Sequence, residues 1–150
     1  MTAVRLASTV DMTREEWLRL RNQGIGGSDI AAIAGVNPWE TALSVYLRKI
    51  GELPEKEETE AMYWGTVLEE VVAQEYARRH PEVRVRRINA VLQHPDVPYF
   101  LAPVDREVRP KGGGAPMILE CKTASAWMGG RWREDVPDHV MTQVQWYLGI

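Results

Sequence analysis

The sequence has almost no cysteine: Cys121 is the single thiol in 150 residues. One cysteine excludes an intramolecular disulfide, and it excludes a zinc site or an iron–sulfur cluster held by four cysteines of this chain. Long apolar runs are also missing, so no segment predicts a membrane span. The N-terminus lacks the basic and then apolar layout of a signal peptide. We therefore expect a cytoplasmic protein with no membrane partner.

Neither sign of charge dominates the composition. The 18 basic and 21 acidic residues leave a net charge of −3, and the pI is about 5.7. This balance does not favour a general nucleic-acid-binding protein, but it is a weak test for an enzyme that gathers carboxylates around a metal. The basic residues Arg78, Arg79, Arg84, Arg86 and Arg87 could follow a DNA backbone, or they could form a solvated face.

The order of the patterned segments predicts one α+β domain over residues 1–150. Capping signals and apolar spacing predict helices over 13–22, 30–34, 41–50 and 60–79 and a last helix capped by Asp138. The second helix can be capped by Ser28 or Asp29. Strands are predicted over 84–92, 99–104 and 116–119, which gives a small central sheet. Residues 1–12 are expected to form an arm or edge strand, and acidic residues 52–60 a mobile loop.

Three charged residues follow the last two predicted strands. Asp105 follows the apolar run 99–104, and Glu120 and Lys122 follow the run 116–119. The glycines at 112–114 predict a turn between the two runs, so antiparallel pairing would place Asp105 beside Glu120. Two close carboxylates repel unless a cation lies between them, and Mg²⁺ prefers such oxygen ligands. Lys122 can then orient or help to deprotonate the water that attacks a phosphodiester.

A second interpretation of these three residues is a salt-bridged, solvated hairpin, because the D-x(n)-E-x-K pattern is short. The charged residues continue directly from the apolar run 117–119. Charge in such a place costs desolvation unless it is paired or bound to metal, and this favours the catalytic interpretation.

Three other positions have both a catalytic and an ordinary interpretation. Glu69 lies at the margin of the apolar face of helix 60–79, where it can reach a metal or pair with a basic group. Arg21 and Ser28 flank the glycine-rich segment 24–27, which forms either an anion site or a tight turn between helices. Gln143 lies on the last helix and points either toward an active site or into solvent.

Six segments of the chain together resemble one known family. In order and spacing they are GIGGSD, NPW, WGTVLEEVVAQEYA, LAPVD, LECKT and VPDHVMTQVQWYL. They resemble the YqaJ-type viral recombinases, which are similar to lambda exonuclease within the PD-(D/E)xK nuclease superfamily, over residues from about 14 to 148. The resemblance implies a restriction-endonuclease-like core, in which a small mixed sheet is flanked by helices. It further implies a Mg²⁺-dependent 5′→3′ exonuclease that acts on duplex DNA ends in phage-type homologous recombination.

The resemblance also implies a role for each candidate residue. The implied metal ligands are Asp105, Glu120, Glu69 and the main-chain carbonyl of Cys121, with Lys122 as the catalytic lysine and Gln143 as the active-site glutamine. Arg21 and Ser28 correspond to the pocket for a terminal 5′-phosphate. We expect Mn²⁺ to substitute for Mg²⁺, and we expect no iron–sulfur cluster.

The family further implies a homo-oligomer, a trimer in lambda-like relatives, a single-strand annealing protein as partner, and a prokaryotic or phage-infected host cell. In this chain the usual PD step reads Val104-Asp105, with the proline one place earlier at Pro103. Because relatives continue beyond the last helix, we expect a sheet that lacks its last strand or strands, or that a partner completes. Two alternatives are another PD-(D/E)xK nuclease, such as an iron–sulfur exonuclease, and a catalytically inactive module that binds DNA ends.

Overall fold

The computed structural model describes residues 3–125, 132 and 135–150. The helices are α1 (Arg14–Arg21), α2 (Gly27–Ile33), α3 (Ala42–Lys49), α4 (Glu60–Arg79) and α5 (Asp138–Leu148). The strands are β1 (Val4–Ser8), β2 (Val83–Arg87), β3 (Ala90–Gln93), β4 (Leu101–Ala102), β5 (Arg106–Pro110) and β6 (Met117–Leu119). The predicted α+β class is confirmed. Within the described residues, no helix is both long and apolar enough to span a membrane.

The chain divides into two compact units. The first comprises Met1–Glu55, Asn89–Pro103 and Asp135–Ile150, and the second comprises Lys56–Ile88 and Val104–Glu134. Each unit contains one three-stranded antiparallel sheet, in the order β1-β3-β4 in the first and β2-β5-β6 in the second. Where the family resemblance implies one small mixed sheet, the described residues form two antiparallel sheets.

Side-chain caps fix most helix starts. Thr13 and Glu16 form a reciprocal capping box at α1, as the sequence predicts. Thr41 caps α3 by accepting the Ser44 N–H, and Thr59 caps α4 in the same way from Met62. The predicted bounds of the long helix, 60–79, are confirmed by α4.

Helix α2 starts earlier than the sequence predicts. It begins at Gly27, its N-cap is Gly26, and Ser28 lies inside the first turn rather than at the cap. Asp29 still serves the helix start, because its Oδ2 accepts the Gly26 N–H at 3.0 Å. At the last helix Asp138 is the first helical residue and Pro137 takes the cap position, so the predicted Asp138 cap is wrong.

The predicted strand 84–92 is two strands that belong to different sheets. β2 ends at Arg87 and pairs with β5, whereas β3 begins at Ala90 and pairs with β1 and β4. Asn89 between them has φ of 50°, in the left-handed region that Asn tolerates better than most residues. This residue breaks the extended conformation and ends the alternation that predicted a single strand.

The hairpin that carries the candidate carboxylates uses a different strand from the predicted one. β4 pairs with β3, so the predicted pairing of 99–104 with 116–119 is wrong. β6 pairs instead with β5, with Arg106 opposite Leu119. Asp105 immediately precedes β5 and Glu120 immediately follows β6. The next step of this antiparallel register therefore puts Asp105 opposite Glu120, as the sequence leads us to expect.

In the first unit, the loop before α2 is fixed to the segment that contains β4. The Ile25 N–H donates to the Tyr99 carbonyl at 2.7 Å, and the Ile25 carbonyl accepts the Leu101 N–H at 2.9 Å. A Cβ at Gly24 would lie 2.5 Å from the Tyr99 carbonyl oxygen. Only glycine fits this close approach of two backbones, and the approach fixes where α2 begins.

Candidate active site

Asp105 lies at the open end of the β5–β6 hairpin in the second unit. Its Oδ2 accepts the Cys121 N–H at 2.8 Å, which ties the start of β5 to the chain that follows β6. Burial raises the pKa of Asp105, and the negative charge of Glu69 acts in the same direction, against the hydrogen bond from Cys121. The ionised form of Asp105 is thus held in a place that disfavours its charge.

Glu120 and Lys122 follow β6 and contact each other. The ammonium of Lys122 lies 2.8 Å from Oε1 of Glu120, whose side chain is only 7% exposed. Burial raises the pKa of Glu120, and Asp105 adds to this effect, while Lys122 opposes it without reversing the shift. One lysine therefore does not offset the unfavourable burial of the two carboxylates.

Glu69 on α4 belongs to the same unit and influences both carboxylates electrostatically. Its side chain is 22% exposed, and its Oε1 lies 2.6 Å from Nη1 of Arg106 and 3.5 Å from Nη2 of Arg87. The sequence places Glu69 at the margin of the apolar face, and the structure agrees with that position. Its Oε1 pairs with arginine, as the ordinary interpretation expects, and a role of Glu69 as a metal ligand stays a prediction.

Arg106 is a site residue that the sequence reasoning missed. It is 2% exposed, and its guanidinium contacts Glu69, Oε2 of Glu70 at 2.8 Å and the main-chain carbonyl of Asp105 at 2.8 Å. The available signal in the sequence was Val104 and Val108 two residues before and after Arg106, because residues at i and i+2 of a strand share a face. The strand period thus indicates an inward arginine next to Asp105.

Cys121 connects the two carboxylate positions through its backbone. Burial raises the pKa of its thiol to about 11, and the nearby charge of Asp105 contributes. The described contact of Cys121 is its N–H bond to Asp105. The implied contact of its carbonyl with a metal stays a prediction.

The donor chemistry of this group suits a hard divalent cation. Asp105, Glu120 and Glu69 supply carboxylate oxygens, the ligands that Mg²⁺ and Mn²⁺ prefer. Two of these carboxyls have raised pKa values, and a cation among them would relieve that cost. Among the described residues no three acidic, histidine or cysteine side chains are arranged as a ready ligand set. Arginine and lysine contact Oε1 of Glu69 and Oε1 of Glu120, respectively.

Arg21 and Ser28 come together in the first unit, as the sequence suggests. Nη2 of Arg21 lies 3.0 Å from Oγ of Ser28 and 3.1 Å from Oδ1 of Asp29. Asp29 is 1% exposed, and its Oδ2 lies 2.8 Å from the ammonium of Lys49. Burial disfavours the charge of Asp29, but Arg21, Lys49 and the Gly26 N–H outweigh it and lower the pKa of this carboxyl.

Lys49 is the second residue that sequence reasoning missed. It donates to Oδ2 of Asp29 and to the main-chain carbonyl of Arg21 at 2.8 Å. Two cations thus surround one carboxylate, and the cluster has a net positive charge that favours an anion. The sequence offers no signal for this contact, because Lys49 lies 28 residues from Arg21 on another helix.

Gln143 lies on α5 in the first unit. Its Nε2 donates to the Tyr147 hydroxyl at 3.0 Å, and its Cγ would lie 2.6 Å from a Cβ added at Gly27. The backbone of α2 approaches this side chain closely, one residue before Ser28. Gln143 is half-buried, whereas Gln145, two residues further along the helix, is exposed. A role of Gln143 in catalysis stays a prediction.

This combination of fold and residues has a counterpart among known families. The chain matches the YqaJ-like viral recombinase domain over residues 16–150 and belongs to that family. The membership expected from the six segments is therefore confirmed. The chain is also 44% identical over 147 residues to the uncharacterized protein YqaJ of Bacillus subtilis (strain 168). The alignment covers 97% of this chain and 44% of that relative, so the chain spans less than half the relative's length.

Proposed function

We propose that this protein is a Mg²⁺-dependent 5′→3′ exonuclease that degrades duplex DNA from its ends in phage-type homologous recombination. The observation that carries the proposal is the arrangement at the open end of the β5–β6 hairpin. There the antiparallel register puts Asp105 opposite Glu120, and the ammonium of Lys122 lies 2.8 Å from Oε1 of Glu120. Membership in a family of viral recombinase domains supports a DNA substrate.

The residues of the hairpin suit phosphodiester hydrolysis. A divalent ion, when bound, supplies positive charge to the reacting phosphate. Asp105 and Glu120, with Glu69 beside them, provide the oxygen donors for such an ion. Lys122 is held by Glu120, and its remaining N–H groups can orient the attacking water. We propose the carbonyl of Cys121 as a further ligand and Mn²⁺ as a substitute for Mg²⁺.

The Arg21 cluster supports a preference for 5′ ends. Arg21 offers donors of a planar fork that suit a phosphate, and Ser28 adds a hydroxyl 3.0 Å away. Lys49 adds a second positive charge. A terminal 5′-phosphate held by this cluster would set the direction of degradation. We also propose Gln143, whose side chain lies close to Gly27, as the active-site glutamine of the nuclease.

The partners form part of the proposal. They are duplex DNA ends, further copies of this chain in a homo-oligomer such as a trimer, and a single-strand annealing protein. The proposed location is the cytoplasm of a prokaryotic or phage-infected cell.

The test is the degradation of a linear duplex with a labelled 5′-phosphate, with Mg²⁺, with Mn²⁺ and with EDTA. We expect mononucleotides released from the 5′ ends with either ion, no product in EDTA, and no attack on a closed circular duplex. Asp105→Asn should remove the activity. Binding of DNA without release of product in either ion would exclude the nuclease and favour a catalytically inactive module that binds DNA ends. Products from internal cleavage of circles would indicate another nuclease of the superfamily.

A further inference from the structure

Arg106 contacts two groups of the candidate active site and one exposed carboxylate outside it. Its Nη1 donates to Oε1 of Glu69 at 2.6 Å and to the main-chain carbonyl of Asp105 at 2.8 Å. Its Nη2 donates to Oε2 of Glu70 at 2.8 Å. A single nitrogen therefore bridges the carboxylate on helix α4 and the backbone of the hairpin carboxylate.

Both arginines near Glu69 contact the same oxygen. Arg106 and Arg87 approach Oε1, at 2.6 Å and 3.5 Å. Within the described contacts, this leaves Oε2 of Glu69 as the oxygen to offer to a cation. The buried guanidinium thus engages one oxygen of Glu69 and restrains its carboxylate.

The burial of the charged Arg106 side chain is not explained by a contribution to the stability of the fold. It lies between Val104 and Val108, both buried, on a strand face that an apolar residue would fill. A buried ion pair seldom stabilises a protein more than well-packed apolar residues do. A positively charged group beside a cation site also weakens the attraction for that cation. A geometric role explains why an arginine occupies this place.

We infer that Arg106 is a positioning residue: it holds Glu69 by Oε1 against the backbone of Asp105, so that Oε2 completes the divalent-ion site. This inference rests on the proposed function, since it assumes that Asp105, Glu120 and Glu69 bind a divalent ion. It assigns to Arg106 an effect on metal affinity that acts through Glu69 and through no direct contact with the ion or the DNA.

The test is a double-mutant cycle read by Mn²⁺ affinity, measured by calorimetry on the wild type, Arg106→Met, Glu69→Gln and the double variant. We expect Arg106→Met to weaken Mn²⁺ binding about tenfold, as loss of an outer partner of a metal ligand does. We expect no further loss when Arg106→Met is added to Glu69→Gln, because the effect passes through Glu69. Circular dichroism and thermal melting in EDTA report the fold of each variant.

Two controls separate positioning from charge and from packing. Glu70→Gln removes the exposed partner of Arg106 but keeps Glu69, so we expect Mn²⁺ affinity close to that of the wild type. Arg109→Met removes an exposed arginine of the same strand, which pairs with Glu107, and should also leave the affinity unchanged. If Arg106→Met does not fold, Arg106→Lys takes its place in the double-mutant cycle, because lysine keeps the positive charge and lacks the planar guanidinium.

The direction of the change in Mn²⁺ affinity distinguishes a positioning role of Arg106 from a purely electrostatic effect. Tighter or equal Mn²⁺ binding by the folded Arg106 variant would overturn the inference, because loss of a nearby positive charge alone predicts tighter binding. Losses that add in the double variant would overturn it as well. Failure of the wild type to bind Mn²⁺ and to degrade DNA would remove the proposed function itself. A wild type that does both, with an indifferent Arg106, removes the positioning role alone.

Discussion

The ammonium group of Lys122 lies 2.8 Å from Oε1 of Glu120, two residues earlier in the chain. This contact places the lysine beside the hairpin carboxylates, with its side chain one-third exposed. A lysine held in this way is anchored at one N–H and retains two others for solvent or substrate. The pairing predicts that Lys122 acts on the water or the phosphate and that the divalent ion depends on other residues.

The first prediction concerns Lys122→Ala. We expect this variant to lose DNA degradation by about 10²–10⁴-fold, the usual contribution of a proton-transfer group, while it still binds Mn²⁺. Calorimetry and the end-labelled assay measure the two properties separately. Lys111→Ala is the matched control, because Lys111 belongs to the turn of the same hairpin and donates to the Pro81 carbonyl. Wild-type cleavage by Lys122→Ala would show that the lysine has no catalytic role.

The second prediction concerns the 5′-phosphate. A charge-assisted hydrogen bond is worth enough to give the wild type about a tenfold preference or more for 5′-phosphorylated over 5′-hydroxyl ends. Arg21→Met should lose this preference by slowing only the phosphorylated substrate, and Ser28→Ala should reduce it. Arg19→Met is the control, because Arg19 lies on the same helix, is 68% exposed and pairs with Glu15. Equal rates on both ends in the wild type would exclude this role of the cluster.

The third prediction concerns Asp29 and acid stability. Its contacts lower the pKa of this buried carboxyl, so its stabilising effect is present above the unfolded pKa, about 3.9, and is lost as the pH falls through the folded pKa. Asp29→Asn should reduce the free energy of unfolding at pH 7 by about 3 kcal/mol, because it leaves two cations around a neutral group. Urea unfolding should show that this difference shrinks below about pH 3.9. Asp96→Asn, at an exposed position, should change stability little at either pH.

The fourth prediction concerns Asp105, whose pKa is raised, chiefly by burial. The folded state then binds the proton more tightly than the unfolded state, so stability is lost as pH rises from the unfolded pKa through the folded pKa. Asp105→Asn should therefore melt at a higher temperature than the wild type at pH 7 in EDTA, and the gain should vanish at low pH. Its amide oxygen can still accept the Cys121 N–H.

Millimolar Mn²⁺ should reverse the order of these two proteins. An ion that binds only the folded state raises the wild-type melting temperature by mass action, and the Asn variant should gain less. Equal melting temperatures in EDTA at pH 7 would contradict the unfavourable burial of Asp105. An equal gain in Mn²⁺ would contradict its role as a ligand.

Local signals predicted much of the fold. The capping box at Thr13 and the bounds of the long helix agree with α1 and α4, because both depend on neighbours along the chain. The division of 84–92 at Asn89 was missed, because an alternating pattern does not reveal one residue with positive φ. The pairing of β4 with β3 was also missed, since strand choice depends on contacts between distant segments.

The candidate site shows the same limit. Asp105, Glu120 and Lys122 were found because they lie on the two sides of a glycine-rich turn, although the strand that pairs with β6 is β5 and not the predicted strand 99–104. Arg106 could have been found from the strand period, but in the sequence alone a buried arginine cannot be distinguished from an exposed one. Lys49 could not, because its contact with Asp29 arises only when α3 lies against α2.

The protonated thiol of Cys121 has a practical consequence for work on this protein. A pKa raised to about 11 leaves this thiol far less ionised at pH 7 than an ordinary cysteine, and the thiolate is the reactive form. Maleimide or iodoacetamide reagents should modify this cysteine slowly. A cysteine introduced at an exposed position should therefore accept a fluorescent dye selectively, without prior removal of the native thiol.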